Sequence, residues 1–125
     1  MMDSTRANLI ETFHYPIQPP KPRPSYDKLL ESFGDARLVL IGDSIHGTYQ
    51  FFDERAYVTQ RLIADKAFTS VIVEGDFLDC YQINRYIHGA VEVSTPLDSL
   101  KDFQRFPLWM WCNEVMLPFM KWMKS

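Results

Sequence analysis

Three side chains of this sequence have the chemistry needed to activate water: His46, Glu74 and Arg55. A neutral imidazole, with an ordinary pKa of about 6.5, can take a proton from water at neutral pH. A carboxylate at Glu74 could accept one ring N–H of His46 and so fix the tautomer that acts as the base. Each residue alone also has a structural explanation, such as an ordinary ion pair between Arg55 and a glutamate. Together they indicate a site for base-catalysed hydrolysis.

A serine nucleophile is the alternative at the same place in the chain. Gly42, Asp43 and Ser44 follow an apolar run and locally resemble the nucleophile turn of the GDS(L) hydrolases. A serine of that kind needs a histidine base and an acid that orients it. The Asp-x-x-His spacing which supplies that pair occurs here from Asp43 to His46, where it overlaps the turn. Ser44 therefore remains the alternative nucleophile, and His46 is the preferred catalytic residue.

Two apolar segments are expected to carry these residues as strands. The runs "ARLVLIG" at 36–42 and "SVIVEGD" at 70–76 are short, rich in branched residues and bounded by glycine or a charged residue, which is typical of strands buried on both faces. Between them, Thr48 is a plausible N-cap of a helix. A strand, a helix and a strand with this spacing predict a parallel βαβ unit with a right-handed crossover.

The helix between the two strands carries Arg55 on its apolar face. Phe51, Arg55, Val58 and Leu62 recur at spacings of four, three and four residues, so they share one side of a helix. A guanidinium in that stripe requires a carboxylate partner. Because parallel strands end at the same edge of a sheet, residues 43–46 and 74–76 are expected to face one crevice. The predicted fold class is therefore α/β, with a parallel βαβ core and flanking helices.

The chain is expected to comprise an N-terminal segment, residues 1–24, and a partial α/β domain, residues 25–125. Five of the nine residues at 16–24 are proline, which favours an extended polyproline-type segment. Ser25 is expected to cap a short helix that ends at Gly34, and a later helix is expected to end at Gly89. A final helix is expected over residues 106–124.

The final helix has apolar side chains around nearly its whole circumference. Such a helix is normally buried on several sides, and we expect residues 107–124 to offer a surface for self-association or for a partner chain. The segment is too short and too often interrupted by polar residues to span a bilayer. Its apolar residues are Trp109, Trp111, Val115, Met116, Phe119, Met120, Trp122 and Met123.

Composition excludes several other classes of protein. A net charge of −3, without clusters of Lys and Arg, argues against nucleic-acid binding. The N-terminus has no apolar stretch of signal-peptide length, so neither export nor membrane insertion is expected. Cys80 and Cys112 have no Cys or His at ligand spacing, which favours packed thiols in a reducing cytoplasm. We expect no cofactor and no metal; a divalent ion held by His46 and Glu74 is a weaker alternative.

Four motifs in order resemble the N-terminal part of the erythromycin esterase family. They are Gly-x-x-x-His-Gly in "LVLIGDSIHGTYQFFDERAYVTQRLI", Arg-Ala in the same stretch, Glu-Gly-Asp in "FTSVIVEGDFLDCYQINRYIHG" and Phe-Pro-x-Trp-Met-Trp in "RFPLWMWCNEVMLPFMKWM". Each motif alone is weak, but their order is specific. The resemblance covers residues 37–125.

This resemblance implies roles for the four candidate site residues. His46 is similar to the family histidine that activates water for attack on a macrolide lactone ester, and Glu74 to its acidic partner. Arg55 belongs to the polar network of the site. Asp43 stands where the family has a glutamate, and its shorter side chain puts a direct hydrogen bond in question. The implied substrate is a small-molecule ester.

Length is the larger departure from the family. Its members are much longer and use a second catalytic histidine in the later part of the chain, which this sequence lacks before Ser125. The resemblance therefore implies an incomplete hydrolase with little or no activity by itself. A non-catalytic interaction fragment that uses residues 107–124 is the alternative.

Overall fold

A computed structural model describes residues 25–43, 48–105 and 107–125, apart from the side chains of Leu108 and Trp109. The predicted N-terminal segment, residues 1–24, lies outside this range. The chain divides into two compact units, Met1–Val39 and Leu40–Ser125. No described helix is both long enough and apolar enough to cross a membrane.

In the first unit, the described residues form one short helix, α1, at Asp27–Ser32. The helix lies where the sequence predicted it, but its N-cap is Tyr26 and not Ser25. Ser25 instead accepts the backbone N–H of Asp27 through its Oγ at 3.3 Å. Gly34 has φ +52°, a left-handed conformation that glycine adopts without a steric penalty. The predicted stop at Gly34 is therefore confirmed.

The second unit begins its helical part with α2, Tyr49–Lys66. Thr48 is the N-cap position, as predicted, although its side chain makes no capping hydrogen bond. The expected apolar stripe is buried at Leu62 and half-buried at Arg55, whereas Phe51 is exposed. The stripe is therefore packed more closely at its C-terminal end than at its start.

The predicted parallel βαβ core is wrong for the described residues, which contain no β-strand. Residues 36–42 and the region around 70–76 carry no strand pairing, and Leu40 and Ile72 are 85% and 92% exposed. Branched apolar residues favour an extended backbone, but a strand also requires a neighbour that completes its hydrogen bonds. That neighbour is absent among the described residues, so the expected sheet edge is absent too. The observed architecture is helical.

The core of the second unit lies between α3, Phe77–Ile87, a 3₁₀ turn, Asp98–Leu100, and α5, Met116–Lys124. Met120 is fully buried at its centre. The predicted end of α3 is confirmed, because Gly89 follows the helix with φ +76°. The other buried members of the cluster are Tyr86, Val93, Met116 and Phe119.

The final helix predicted over 106–124 is divided into α4, Leu108–Trp111, and α5. Asn113 separates the two helices with its side-chain amide. Its Nδ2 donates to the Met110 carbonyl at 2.8 Å, and its Oδ1 accepts the N–H groups of Val115 and Met116 at 3.1 and 3.3 Å. An asparagine that satisfies backbone groups in this way favours a cap over a continuous helix. Apolar periodicity alone did not show this break.

Candidate functional site

His46 and Ser44, the two alternative catalytic residues, lie outside the described residues. The choice between a histidine base and a serine nucleophile therefore remains a sequence prediction. The other three candidates, Asp43, Arg55 and Glu74, are described, and they belong to two groups of contacts.

The first group joins Asp43 to Arg55. Arg55 Nη2 donates to Asp43 Oδ1 at 2.5 Å, and the two side chains are 20% and 24% exposed. The Arg55 guanidinium also lies 5.6 Å from the centre of the Phe52 ring, a favourable cation–π distance. The aspartate is long enough for direct contact with Arg55, and it supplies the carboxylate that the sequence required. Half-burial of the pair limits screening by solvent.

The second group contains Glu74. Residues 74–79, here called the acidic turn, comprise the three residues before α3 and the first three residues of α3, and they carry Glu74, Asp76 and Asp79. An open pocket of about 380 Å³ is lined by Glu74, Gly75, Asp76, Arg105 and Pro107. Carboxylates and a guanidinium around one pocket can bind a polar ligand through charge-assisted hydrogen bonds.

The backbone of Glu74 is held by an aromatic side chain. Trp111 Nε1 donates to the Glu74 carbonyl oxygen at 2.8 Å. Trp111 itself packs against the core cluster. Its ring is therefore held in place by the core while its indole N–H donates to the acidic turn. The sequence placed Trp111 in the final helix but gave no indication of this contact, which spans 37 residues.

Asp76 joins helix capping to charge pairing. It is the N-cap of α3 and accepts the N–H groups of Leu78 and Asp79 at 3.0 and 3.3 Å. Arg105 Nη1 donates to the same Asp76 oxygen at 3.0 Å. The Arg105 hydrogen bond is the main reason why the pKa of Asp76 is lowered, and the backbone N–H groups add to it. Asp76 is therefore ionised at neutral pH.

Asp79 fixes the segment that follows the 3₁₀ turn. Asp79 is 8% exposed, and its Oδ2 accepts the backbone N–H groups of Gln104 and Arg105 at 3.2 and 2.8 Å. A buried carboxylate is stabilised by such bonds. Residues 74–76 were expected at the site, but the N-cap role of Asp76 and the contribution of Arg105 were not. An aspartate before a helix is a recognisable N-cap signal, but no local pattern connects Arg105 to it.

The two cysteines lie near the same region and are free thiols. Partial burial raises the pKa of Cys80 and of Cys112, and the Asp79 carboxylate adds to both shifts. Protonated, half-buried thiols are poor nucleophiles and poor metal ligands. Among the residues that the structure describes, no group of three His, Cys, Asp or Glu side chains is arranged to hold a metal ion.

Comparisons with known proteins agree with the motif resemblance. The sequence model described as erythromycin esterase matches residues 63–125, a range that contains Glu74 and begins after Asp43, His46 and Arg55. A protein named erythromycin esterase type II from Escherichia coli is 33% identical over 79 residues, which cover 61% of this chain and 19% of that protein. The chain thus spans about a fifth of that relative. No solved structure matches. Since the family match extends over half of the sequence, the chain belongs to the erythromycin esterase family.

Proposed function

We propose that this chain contributes one part of the active site of an ester hydrolase. Family membership supports the reaction class, and the pocket at Glu74 is the observation that carries the proposal. Glu74 lies within the matched range and lines a pocket together with Asp76 and Arg105. Such a pocket can orient both a catalytic base and a polar substrate.

In the proposed reaction, His46 acts as the general base. Glu74 accepts one ring N–H of His46, and the other ring nitrogen takes a proton from a water molecule. The oxygen of that water attacks the carbonyl carbon of the ester. The bond between this carbon and the alkoxy oxygen then breaks, and the leaving alcohol takes up the proton. The products are a carboxylic acid and an alcohol, and His46 is regenerated.

Arg55 and Asp43 supply the polar surroundings in this proposal. Asp43 neutralises much of the charge of Arg55 through their 2.5 Å contact, so the guanidinium does not compete strongly for Glu74. A hydrogen-bonded Arg–Asp pair also has little freedom to change direction. We therefore assign the pair to site organisation and not to proton transfer.

The proposed substrate is a small-molecule ester, and a macrolide lactone is its first test compound. The name of the Escherichia coli relative states erythromycin as the substrate of that protein. Substrate choice depends on pocket walls, and this chain spans about a fifth of that relative. We expect the 125-residue chain alone to show little or no hydrolysis, because the second catalytic histidine of the family has no counterpart in it.

The proposal is tested by replacing the matching segment of the Escherichia coli relative with this chain and assaying erythromycin hydrolysis. We expect activity that falls at least about a hundredfold in His46→Ala, the scale of a lost general base, and that persists in Ser44→Ala. Loss of activity in Ser44→Ala, with retention in His46→Gln, would establish the serine mechanism instead. Hydrolysis by the isolated chain that disappears in His46→Ala would contradict the expected dependence on the longer protein.

A further inference from the structure

The acidic turn is attached to a later part of the chain by four hydrogen bonds. Trp111 donates to the Glu74 carbonyl, the Arg105 side chain donates to Asp76, and the N–H groups of Gln104 and Arg105 donate to Asp79. Three of these four bonds are accepted by the side chains of Asp76, the N-cap of α3, and Asp79, within α3. The Trp111 bond is different, because it acts on the backbone of Glu74 itself.

We propose that Trp111 is a positioning residue for Glu74. By holding the Glu74 carbonyl oxygen, the indole restrains the backbone that carries the Glu74 side chain at the edge of the pocket. The catalytic importance of Glu74 rests on the proposed function, whereas the restraint on its backbone rests on the geometry of the contact. Trp111 does not line the pocket, so it acts on the site through Glu74.

An indole is suited to this task because it is rigid. A tryptophan side chain has two rotatable bonds, and its N–H has one direction once the ring is packed. The Trp111 ring is half-buried and packs against the core cluster that contains Tyr86 and Met120. The hydrogen bond therefore holds the backbone of Glu74 at a fixed distance from the core cluster. It also links the Phe-Pro-x-Trp-Met-Trp motif to the Glu-Gly-Asp motif, two features that lie far apart in the sequence.

Gly75 gives independent evidence that the approach is close. A Cβ atom at this position would lie 2.5 Å from Cys80 Sγ and 3.3 Å from Trp111 Nε1. The first distance is shorter than a van der Waals contact allows, so a side chain at position 75 requires Cys80 to move. Glycine at position 75 therefore lets the acidic turn lie against Cys80 and close to the indole.

The restraint is tested on the full 125-residue chain by NMR hydrogen exchange. We expect the Trp111 indole N–H to exchange at least about tenfold more slowly than a free indole. In Trp111→Phe, the amides of Leu78 and Asp79 should exchange about threefold to tenfold faster, the range expected for loss of one hydrogen bond. Trp122→Phe is the matched control and should leave these amides unchanged. An unprotected Trp111 indole would overturn the inference.

The positioning role is tested by the pKa of the His46 imidazole in the same samples. A paired carboxylate raises a histidine pKa, so Glu74→Gln should lower it. Trp111→Phe should lower it in the same direction, whereas Trp122→Phe should not. If Glu74→Gln lowers this pKa and Trp111→Phe does not, the positioning role is wrong and the proposed function stands. If Glu74→Gln has no effect, the Glu74–His46 pair of the proposed function fails, and the exchange data alone decide the restraint.

A second variant covers the case in which Trp111→Phe does not fold. Gly75→Ala adds a Cβ that meets Cys80 Sγ at 2.5 Å and Trp111 Nε1 at 3.3 Å. We expect this crowding to push the acidic turn away from Trp111 and to reproduce the faster exchange of the Leu78 and Asp79 amides. Adding Cys80→Ala removes the atom that the new Cβ meets first, and protection should be partly restored. Equal exchange in Gly75→Ala and the wild-type chain would contradict the close approach of turn and indole.

Discussion

At the scale of single residues, the sequence showed that Arg55 needed a carboxylate partner. It did not show which carboxylate each arginine contacts. Arg55 in an apolar stripe required a carboxylate, and the structure supplies one at Asp43. The pairing of Arg105 with Asp76 connects positions 29 residues apart. No periodic pattern carries such a contact, because it depends on how α3 and the later segment pack.

Asp76 makes a testable contribution to stability that depends on pH. Its folded pKa is lowered, chiefly by Arg105, so its contribution is complete above its ordinary pKa of about 3.9 and is lost as the pH falls through the lowered value. Asp76→Asn retains a capping oxygen but loses the charge. We expect the variant to unfold at a lower temperature than the wild-type chain at pH 7, with a smaller difference below about pH 4.

Thermal unfolding followed by circular dichroism measures this difference. Asp102→Asn removes the charge of an exposed aspartate and serves as the control for general charge effects. A difference between Asp76→Asn and the wild-type chain that is equal at pH 7 and pH 3 would show that the Arg105 pair does not stabilise the fold.

At the scale of elements, three helix ends were predicted correctly, whereas the Ser25 cap and the strands were not. Thr48, Gly34 and Gly89 lie where the sequence placed them, because capping and left-handed conformations depend on a few adjacent residues. A strand depends on a neighbour elsewhere in the chain, and residues 36–42 show apolar character without that neighbour. The division of the last helix at Asn113 was partly predictable. The asparagine is a local capping signal, but the strong apolar periodicity of the segment concealed it.

The end of α2 offers a stabilising substitution. Ala67 follows this helix in a left-handed conformation, with φ 57° and ψ 31°, which is unfavourable for a residue with a Cβ atom. Ala67→Gly should therefore raise the free energy of unfolding by up to about 1 kcal/mol. Chemical denaturation measures the change.

Ala64→Gly is the matched control for this substitution. Ala64 is exposed and lies within α2, so the same replacement there should lower the free energy of unfolding by about 1 kcal/mol. If both glycine variants are destabilised to the same extent, Ala67 does not adopt the left-handed conformation in solution.

At the scale of the whole molecule, the two segments predicted as strands expose several apolar side chains. Leu38, Leu40 and Ile72 are open to solvent, whereas much of the predicted interaction surface at 107–124 is buried, with Met116, Phe119 and Met120 in the core. Trp122, 36% exposed, is an apolar side chain that this surface still presents. Amino-acid composition could not show which apolar side chains are exposed, because the predicted strands and residues 107–124 are similarly apolar.

Charge substitution can show whether self-association uses the exposed side chains of Leu40 and Ile72 or residues 107–124. We expect the wild-type chain to associate at high concentration, and the double variant Leu40→Lys with Ile72→Lys to remain monomeric at similar stability, since both side chains are almost fully exposed. Light scattering after size-exclusion chromatography measures the mass. Trp122→Lys tests the proposed 107–124 surface, and dissociation in this variant alone would assign the interaction to that helix.

The backbone N–H groups of Gln104 and Arg105 donate to Asp79 and so close a loop of the chain. This loop contains Val91, which is 90% exposed. A protease that cuts beside Val91 breaks the backbone but leaves both ends of this loop attached. Tyr86 lies before the cut and Met120 after it, and both remain in one core. We therefore expect the nicked protein to migrate as a single particle on a native gel, and its two fragments to separate only under denaturing conditions.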